Sequence, residues 1–465
     1  MGRSLAVIWV LWILAAAALG AYLGYRMLYG EDRRWFLPGA MTAGHYQIEL
    51  DCGACHSAAF TDRDAVQQAC VDCHGEALRA AKDSHPLSKF TDPRNADRLA
   101  ALDARYCVTC HVEHQPGRSR EMGLTLPVDY CWHCHQDIGA ERPSHRELGF
   151  DTCASAGCHN YHDNRALYED FLLQHAAEPP SKPGARVPLR SPAQPAGAPL
   201  EAAQAAAPAD LAGAAEVISQ WSSTAHARGG VNCGGCHLDA GDAWVDRPGV
   251  EACAECHGPE HAGFLAGRHG MRLARGLEPM RPEWARQPMH ADARGRELGC
   301  TSCHGAHDFD TGTAAVEACL GCHADEHSRA YRGSPHHRLW LAERSGEGPP
   351  GSGVSCATCH LPRESRRDSG GVRIAAQHNQ NGNLRPVEQM ARTVCMHCHG
   401  LGFVLDALAD PQLARTNFRG RPAARVPGIG MAIERERRRS GASAAESERA
   451  VGGDAGPSAP PPPER

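Results

Sequence analysis

Residues 107–114 read Cys107-Val108-Thr109-Cys110-His111-Val112-Glu113-His114, a pair of cysteines two residues apart that is followed at once by a histidine. Two cysteines with an adjacent histidine recur eleven times and use all 22 cysteines of the chain. Ten copies have the CxxCH spacing, and the fifth is CxxxxCH. The eleven motifs, in order, are Cys52/Cys55/His56, Cys70/Cys73/His74, Cys107/Cys110/His111, Cys131/Cys134/His135, Cys153/Cys158/His159, Cys233/Cys236/His237, Cys253/Cys256/His257, Cys300/Cys303/His304, Cys319/Cys322/His323, Cys356/Cys359/His360 and Cys395/Cys398/His399.

The chemistry of covalent haem attachment explains this spacing. Two thiols add to the two vinyl groups of one haem, and the adjacent histidine ligates the iron. Zinc ribbons and disulfide frameworks also use paired cysteines, but neither needs a histidine after every second cysteine. The sequence therefore predicts eleven c-type haems (heme c). At the fifth motif a Cys153–Cys158 disulfide is the alternative, although the small residues 154–157 can bulge outward and leave both thiols free for haem.

The haem motifs also predict the compartment, because haem is joined to these cysteines on the outer side of a bacterial inner membrane. Residues 5–25 are uncharged, lie between Arg3 and Arg26, and are long enough to span a bilayer. A cleaved signal peptide, with a cleavage site near residues 18–20, is the alternative. We expect an uncleaved anchor in the inner membrane with the haem regions in the periplasm, because four aromatic residues suit the membrane interfaces: Trp9, Trp12, Tyr22 and Tyr25.

Composition limits the possible partners and the kind of core. The chain has 48 basic and 54 acidic residues, and each haem adds two propionates, so we expect no nucleic-acid partner. Only 6% of the residues are aromatic, while 49 glycines and 32 prolines interrupt the chain. The expected fold is mostly α with extensive loops, and the haems themselves form its core.

The motifs and the composition divide the chain into five segments. They are an N-terminal membrane anchor (1–30), a pentahaem module (31–175), a Pro/Ala-rich linker (176–215), a hexahaem module (216–410) and a disordered tail (411–465). Helices are expected at residues 5–25, at 163–175 and around 404–409. We call residues 31–175 the N-terminal region and residues 216–410 the C-terminal region.

Histidines outside the motifs recur in register between the two regions, which predicts two duplicated pentahaem modules plus one extra haem. Five such histidines per region match the need of each iron for a second axial ligand. The predicted second ligands are His45, His85, His114, His145 and His175 in the N-terminal region and His226, His269, His307, His336 and His378 in the C-terminal region.

Other histidines have no clear counterpart in this register. His337 is the alternative to its neighbour His336. His133 and His397 lie inside CxHCH loops and are expected to face solvent. The second ligand of the eleventh haem is expected from whichever of His336 and His337 is left over, or from a set without counterparts, namely His162, His261, His290 and His327.

The stretches 45–52 and 107–114 resemble periplasmic multihaem cytochromes of the cytochrome c3 type. Residues 221–227, Trp-Ser-Ser-Thr-Ala-His-Ala, more loosely resemble the superfamily of hydroxylamine oxidoreductase and pentahaem nitrite reductase. This resemblance covers about residues 45 to 400. It implies closely packed haems between which electrons pass.

The resemblance leaves two classes of function. Pentahaem nitrite reductases replace one motif histidine by lysine, whereas all eleven motifs here end in histidine. Hydroxylamine oxidoreductases crosslink a tyrosine to the active haem, and Tyr331 is the only tyrosine of the C-terminal region. We therefore expect an electron carrier between a membrane quinol or redox donor and periplasmic acceptors, rather than an enzyme. The alternative is a reductase or oxidase of small nitrogen or sulfur oxyanions at one open haem in the C-terminal region.

Overall fold

The computed structural model describes residues 2–30, 33–57, 61–83, 85–154, 158–163, 169–192, 195, 197–368, 371–384 and 387–452. The residues that would form the bulge of the fifth motif, 155–157, lie outside this set. The described chain is mostly helical with long loops, as the composition predicts. Two antiparallel strands, β1 (Arg363–Asp368) and β2 (Gly371–Ala376), form one hairpin, in which Arg363 pairs with Ala376.

The helices of the N-terminal part are mostly short, because the motifs interrupt the chain with turns. They are α1 (Gly2–Tyr29), α2 (Arg63–Ala81), α3 (Leu87–Phe90), α4 (Ala96–Ala101), α5 (Cys107–Cys110), α6 (Trp132–His135), α7 (Ile138–Glu141) and α8 (Glu169–Gln174). Helix α1 contains an apolar stretch, Leu5–Met27, with mean hydropathy 2.2 and no burial against the rest of the protein. Its length and composition fit a membrane anchor and a signal sequence alike.

The helices of the described C-terminal part are also mostly short. They are α9 (Ala214–Ser222), α10 (Ala225–Arg228), α11 (Gly234–His237), α12 (Glu251–Ala266), α13 (Cys300–His304), α14 (Thr311–Ala315), α15 (Glu317–Leu320), α16 (Glu326–Tyr331), α17 (Pro335–Ser345), α18 (Cys356–His360), α19 (Gln380–Leu384), α20 (Val387–Thr393), α21 (Leu401–Leu408), α22 (Pro411–Arg415) and α23 (Gly428–Gly452). Short 3-10 turns connect many of them.

The Pro/Ala-rich segment lies along the C-terminal region in an extended conformation. The Val187 amide donates to the carbonyl oxygen of Gly351 (2.9 Å), and the Ser191 amide donates to that of Ile374 (3.0 Å). Val187 is 7% exposed. These residues therefore act as a strap on the surface of the C-terminal region.

Residues 411–452, the described part of the predicted disordered tail, contain two helices, and residues 453–465 lie outside the described residues. Helix α22 follows directly, and α23 packs on the apolar face of α21 and on α8. The cluster at this junction consists of Leu172, Leu401, Leu405 and Ala432. The basic and Gly/Ala-rich composition predicted disorder, but the apolar residues of α21 provide a surface that α23 covers.

The two regions meet at a second place, which we call the arginine seam. It consists of residues 41–51 of the N-terminal region and residues 268–286 of the C-terminal region. Arg268 donates to the Ala43 carbonyl oxygen (3.0 Å), and Arg272 donates to that of Gln47 (2.7 Å). Two further contacts complete the seam: Arg286 with the Met41 carbonyl oxygen (2.8 Å) and Arg275 with the Asp51 carboxylate (2.6 Å).

Candidate functional site: opposed histidine pairs

Each motif is a tight turn that brings its histidine back over its first cysteine. The His111 amide donates to the Cys107 carbonyl oxygen (2.9 Å), and the same bond closes the first motif between His56 and Cys52 (2.9 Å). In the wider fifth motif the His159 amide reaches the Cys153 carbonyl oxygen at 3.0 Å. The fifth motif therefore closes as the others do, and no disulfide joins any of the 22 cysteines, all of which lie in the described chain.

Ten of the eleven motif histidines face a second histidine ring, with ring centres 5.8 to 6.4 Å apart. Every partner comes from outside the motifs. The pairs are His45/His74 (5.8 Å), His85/His135 (6.2 Å), His111/His162 (6.4 Å), His145/His159 (6.3 Å), His226/His257 (6.1 Å), His237/His307 (5.9 Å), His269/His323 (6.2 Å), His304/His378 (6.3 Å), His327/His360 (6.1 Å) and His336/His399 (6.3 Å).

This separation is what one metal ion between two imidazoles requires. Metal–imidazole bonds of about 2.0 Å place two opposed nitrogens about 4 Å apart, and the ring centres then lie about 6.3 Å apart. Direct ring contact brings the centres closer, as His85 and Tyr161 show by stacking at 4.0 Å. The ten pairs could therefore each hold a six-coordinate haem iron.

The electrostatic environment keeps these rings in the metal-binding form. Burial, together with a smaller effect of the neighbouring histidine of each pair, lowers the pKa of His269, His304, His336 and His360 to about 4. Neutral imidazole is the form that ligates metals. At neutral pH these side chains are thus ready to ligate without losing a proton.

Hydrogen bonds at Nδ1 fix the orientation of eight of these twenty rings. The acceptor is usually a backbone carbonyl oxygen, as for His237 with Val245 (2.8 Å) and His327 with Ala414 (2.6 Å). With Nδ1 occupied, Nε2 is the nitrogen left for a metal. Such bonds select the tautomer and hold the ring plane.

The first motif differs from the other ten. His56 is exposed, and among the described residues no second histidine ring faces it at the distance found in the ten pairs. Its equivalent by position, His237, faces His307 and stacks on Trp244 at 4.6 Å. The predicted ligand His114 shares an uncommon left-handed backbone with His307, with φ of 60° and 70°, and donates from Nδ1 to the Gly39 carbonyl oxygen (2.9 Å).

The sequence does not predict which motif each second histidine faces, and in the structure one predicted ligand, His175, lies apart from the ten pairs. His175 packs on Phe171 (4.5 Å) and hydrogen-bonds to Glu178 (2.8 Å), and the position opposite His111 belongs to His162. His336 faces the eleventh motif, and the ring opposite His360 is that of His327. His162 and His327 carry no local signal beyond being histidines, because their partners are distant in the sequence.

His399 of the eleventh motif contacts two distant segments of the chain. The ring opposite His399 is that of His336, one of the two neighbouring histidines between which the sequence leaves the choice open. Nδ1 of His399 donates to the carbonyl oxygen of Pro180 (2.9 Å), a residue of the predicted linker, and the ring stacks on Phe403 at 5.0 Å. Residues 179–182 also hydrogen-bond to the backbone of this motif, so the segment between the regions helps to orient His399.

The remaining histidines lie apart from the ten pairs. His337 accepts from the Gly333 amide (3.0 Å) and contacts Tyr331 edge-on. His133 contacts Trp132, and the His290 amide donates to the Cys322 carbonyl oxygen (2.9 Å). His261 lies in α12 with a buried Nε2 that has no hydrogen-bond partner, and His397 lies within the eleventh motif.

Cysteines of successive motifs lie next to each other, in the same order in both regions. Cys70 of the second motif interacts with Cys107 of the third, and Cys253 and Cys300 repeat this contact. The fourth and fifth motifs of each region meet through two further contacts: Cys131 with Cys153, and Cys319 with Cys356. Groups attached to these cysteines would lie edge to edge.

A connected cavity of about 4290 Å³ runs between the motifs and is lined by residues of both regions. Two guanidinium atoms at this cavity, Nη2 of Arg120 and Nη1 of Arg366, are buried without a hydrogen-bond partner. Glu260 lies 3.9 Å from Arg366, which is too far for a hydrogen bond. Buried cations of this kind fit carboxylate groups, and each haem carries two propionates. His399 does not line this cavity, whereas its partner His336 does, so the eleventh motif lies at the cavity's margin.

Comparison with known proteins agrees with this chemistry. A sequence model of the cytochrome c3 family matches residues 44–136 and again residues 225–324. No curated protein and no solved structure matches the chain. Both matched stretches contain CxxCH motifs with opposed histidines, and the chain is a multihaem c-type cytochrome that is similar to the cytochrome c3 family over these two stretches.

Proposed function

We propose that this protein is an undecahaem cytochrome c that is anchored in the bacterial inner membrane and transfers electrons between a membrane quinol or redox donor and periplasmic acceptors. The similarity of residues 44–136 and 225–324 to the cytochrome c3 family implies electron transfer through covalently bound haem. The main observation in support of this proposal is the set of ten opposed histidine pairs.

Two histidine ligands per iron leave no position for a substrate. The chain's part is then to hold the ligand rings in place, and carbonyl acceptors at Nδ1 do so for six of them. A haem ligated in this way gains and loses one electron with little change in structure. Ten saturated sites therefore favour a relay over catalysis.

A duplication with one inserted haem accounts for the pairing pattern. His45 and His226 each face the second motif of their region, and His85 and His269 each face the fourth. The third motifs are faced by His162 and His378. The pair His336/His399 has no equivalent in the N-terminal region, which supports assigning it to the added eleventh haem.

The arginine seam supports a route between the regions that does not follow the order of the motifs. Its N-terminal side carries His45, which faces the second motif, and its C-terminal side carries His269, which faces the ninth. Arg275 also lies close enough to Cys55 and Cys73 to influence both thiols. We therefore assign the crossing to the haems of the first, second and ninth motifs.

The first motif is the place where the enzyme alternative fits best. All six motif histidines of the C-terminal region face a second ring, which disfavours an open haem there. His56 does not, and its motif begins shortly after the apolar helix segment that ends at Met27. A ligand-accessible haem at this position would also suit electron entry from a membrane quinol.

One set of measurements tests the proposal on the full-length protein. Low-temperature EPR of the oxidised protein is expected to contain only low-spin haem signals, or one high-spin haem at most, and nitrite or hydroxylamine is expected to be turned over negligibly. Several high-spin haems, or turnover at about 1–1000 per second as in typical enzymes, would overturn the relay. Release from membranes by detergent but not by salt tests the anchor; a soluble chain cut near Gly20 would contradict it.

A further inference from the structure

The closest carboxylate contact on any of the ten pairs is at His45. Its Nδ1 lies 2.7 Å from Oε1 of Glu113, a residue of the third motif's CxxCHxxH stretch. The other nearby carboxylates are more distant: Asp83 lies 3.4 Å from His162, and Asp325 lies 3.9 Å from His323. Only at His45 does a full negative charge accept a short hydrogen bond from a described paired ring.

Two further hydrogen bonds hold the Glu113 carboxylate in this position. The Thr42 amide donates to Oε2 (2.8 Å), and the Thr42 hydroxyl donates to Oε1 (2.7 Å). The Glu113 side chain is 24% exposed, so solvent screens the contact only in part. The carboxylate is therefore oriented toward His45 rather than free to turn away.

The corresponding pair in the C-terminal region lacks this carboxylate. His226 faces the second motif of its region as His45 does, and the two matched family stretches start at residues 44 and 225. In the CxxCHxxH sequence, however, Ala306 stands where Glu113 stands. Nδ1 of His226 is buried and has no hydrogen-bond partner. The chain thus contains two matched sites that differ in one charged contact.

We propose that Glu113 lowers the reduction potential of the haem held by His45 and His74 below that of the haem held by His226 and His257; this rests on the proposed ligation by these pairs. A carboxylate that accepts the Nδ1 proton makes the imidazole a stronger electron donor to the metal. Greater donation and the nearby negative charge both stabilise ferric over ferrous iron. Because His45 lies in the arginine seam, the lowered potential acts where electrons cross between the regions.

Glu113→Gln tests this, because glutamine keeps the size and an acceptor oxygen but removes the charge. In a potentiometric titration followed by EPR, one one-electron component is expected to move to a more positive potential. The expected size is about a tenfold change in the ferric–ferrous equilibrium, which corresponds to about 59 mV for one electron. The control is Thr42→Val, which removes only the hydroxyl bond to Glu113 and is expected to leave every component in place.

The outcomes separate the proposal from the ligation on which it rests. Unchanged components in Glu113→Gln, or an equal shift in Thr42→Val, would overturn the role of Glu113. A His45→Ala variant without a new high-spin haem would instead contradict the ligation itself. If Glu113→Gln binds fewer haems by intact mass, Ala306→Glu carries the test: it must move the His226/His257 component to a more negative potential, and an unmoved component overturns the proposal.

Discussion

The rings of His226 and His257 lie edge to face with their centres 6.1 Å apart. His226 belongs to α10, whose N-cap Thr224 accepts from the Ala227 amide (3.3 Å), and His257 belongs to α12. The two histidines therefore lie on separate helices. Replacing one ring should therefore leave the other in place.

His226→Ala is expected to open the haem attached at Cys253 and Cys256 and to convert it from low spin to high spin. An iron with one histidine binds external ligands, so cyanide or added imidazole should bind to one more haem in the variant than in the original protein. EPR and ligand titration provide the measurement.

His261→Ala is the matched control for His226→Ala, because His261 also lies in α12 but faces no motif histidine at the paired distance. It should leave the spin state unchanged. A high-spin haem in the control, or none in His226→Ala, would contradict the assigned pair.

The N-terminal region allows a direct choice between two histidines. His162 faces His111 at 6.4 Å, whereas His175 contacts Phe171 and Glu178. His162→Ala is expected to make the haem of the third motif high-spin, and His175→Ala to leave every haem in the spin state it has in the original protein. The reverse result would restore the register that the sequence predicts.

The local geometry of the motifs follows from the sequence, but the pairing of histidines does not. CxxCH spacing is enough for one hydrogen-bonded turn, so the placement of Cys107 and His111 depends only on neighbouring residues. His327 and His360 meet because α16 and α18 pack around a shared cavity, and no spacing rule contains that information.

His399 has one contact that the sequence predicts and two that it does not. Its amide donates to the Cys395 carbonyl oxygen (2.9 Å), which is the turn that the motif spacing predicts. The carbonyl group that orients its ring belongs to Pro180, 219 residues away, and the opposed ring of His336 comes from α17. The sequence therefore predicted His399 as a ligand but not its partner, because both contacts depend on how distant segments pack.

The helices within residues 411–452 could not be predicted from the sequence for a similar reason. Its composition is typical of disorder, yet Asp406 in α21 accepts from the Val426 amide (2.8 Å) and pairs with Arg425 (2.8 Å). Arg425 and Val426 lie about 20 residues after Asp406, in a segment whose apolar residues do not recur with the period of a helix or a strand. The contact depends on the folded position of α21.

Asp406→Ala is expected to loosen residues 411–440. Asp406 is 6% exposed, and removing it leaves the Val426 amide without its acceptor, a loss of about 1–3 kcal/mol in local opening free energy. Native-state proteolysis with trypsin at the arginines of α23 measures that opening. Arg425→Ala is the control: its side chain is 85% exposed, so a loss of about 0–1 kcal/mol is expected. Equal cleavage of both variants and the original protein would show that Asp406 does not hold this segment.

The arginine seam predicts how the two regions are coupled. Arg272 donates to the Gln47 and Glu278 carbonyl oxygens (2.7 and 2.9 Å), so Arg272→Ala should weaken the seam by about 1–3 kcal/mol. Electron transfer between the two regions after flash reduction should become slower, because the arginine seam opens more often. Arg281→Ala is the control. Both arginines lie over the ring of Trp284, but Arg281 pairs with Glu297 within its own region. Unchanged transfer in Arg272→Ala would place the crossing elsewhere.

The fifth motif gives the sharpest test of haem number. Its amide bond from His159 to Cys153 closes the turn despite two extra residues, and His145 faces His159 at 6.3 Å, so every element of a haem site except the usual spacing is present. We expect intact mass to correspond to eleven haems, and Cys153→Ser/Cys158→Ser to lose one of them. The control Cys300→Ser/Cys303→Ser, at a motif of ordinary spacing, should also lose one. The contrary result is ten haems in the unmodified protein and a mass two hydrogen atoms below that of the ten-haem form with free thiols, which indicates a Cys153–Cys158 disulfide. That result would remove the fifth site from the relay and leave His145 and His159 as a pair of packed rings.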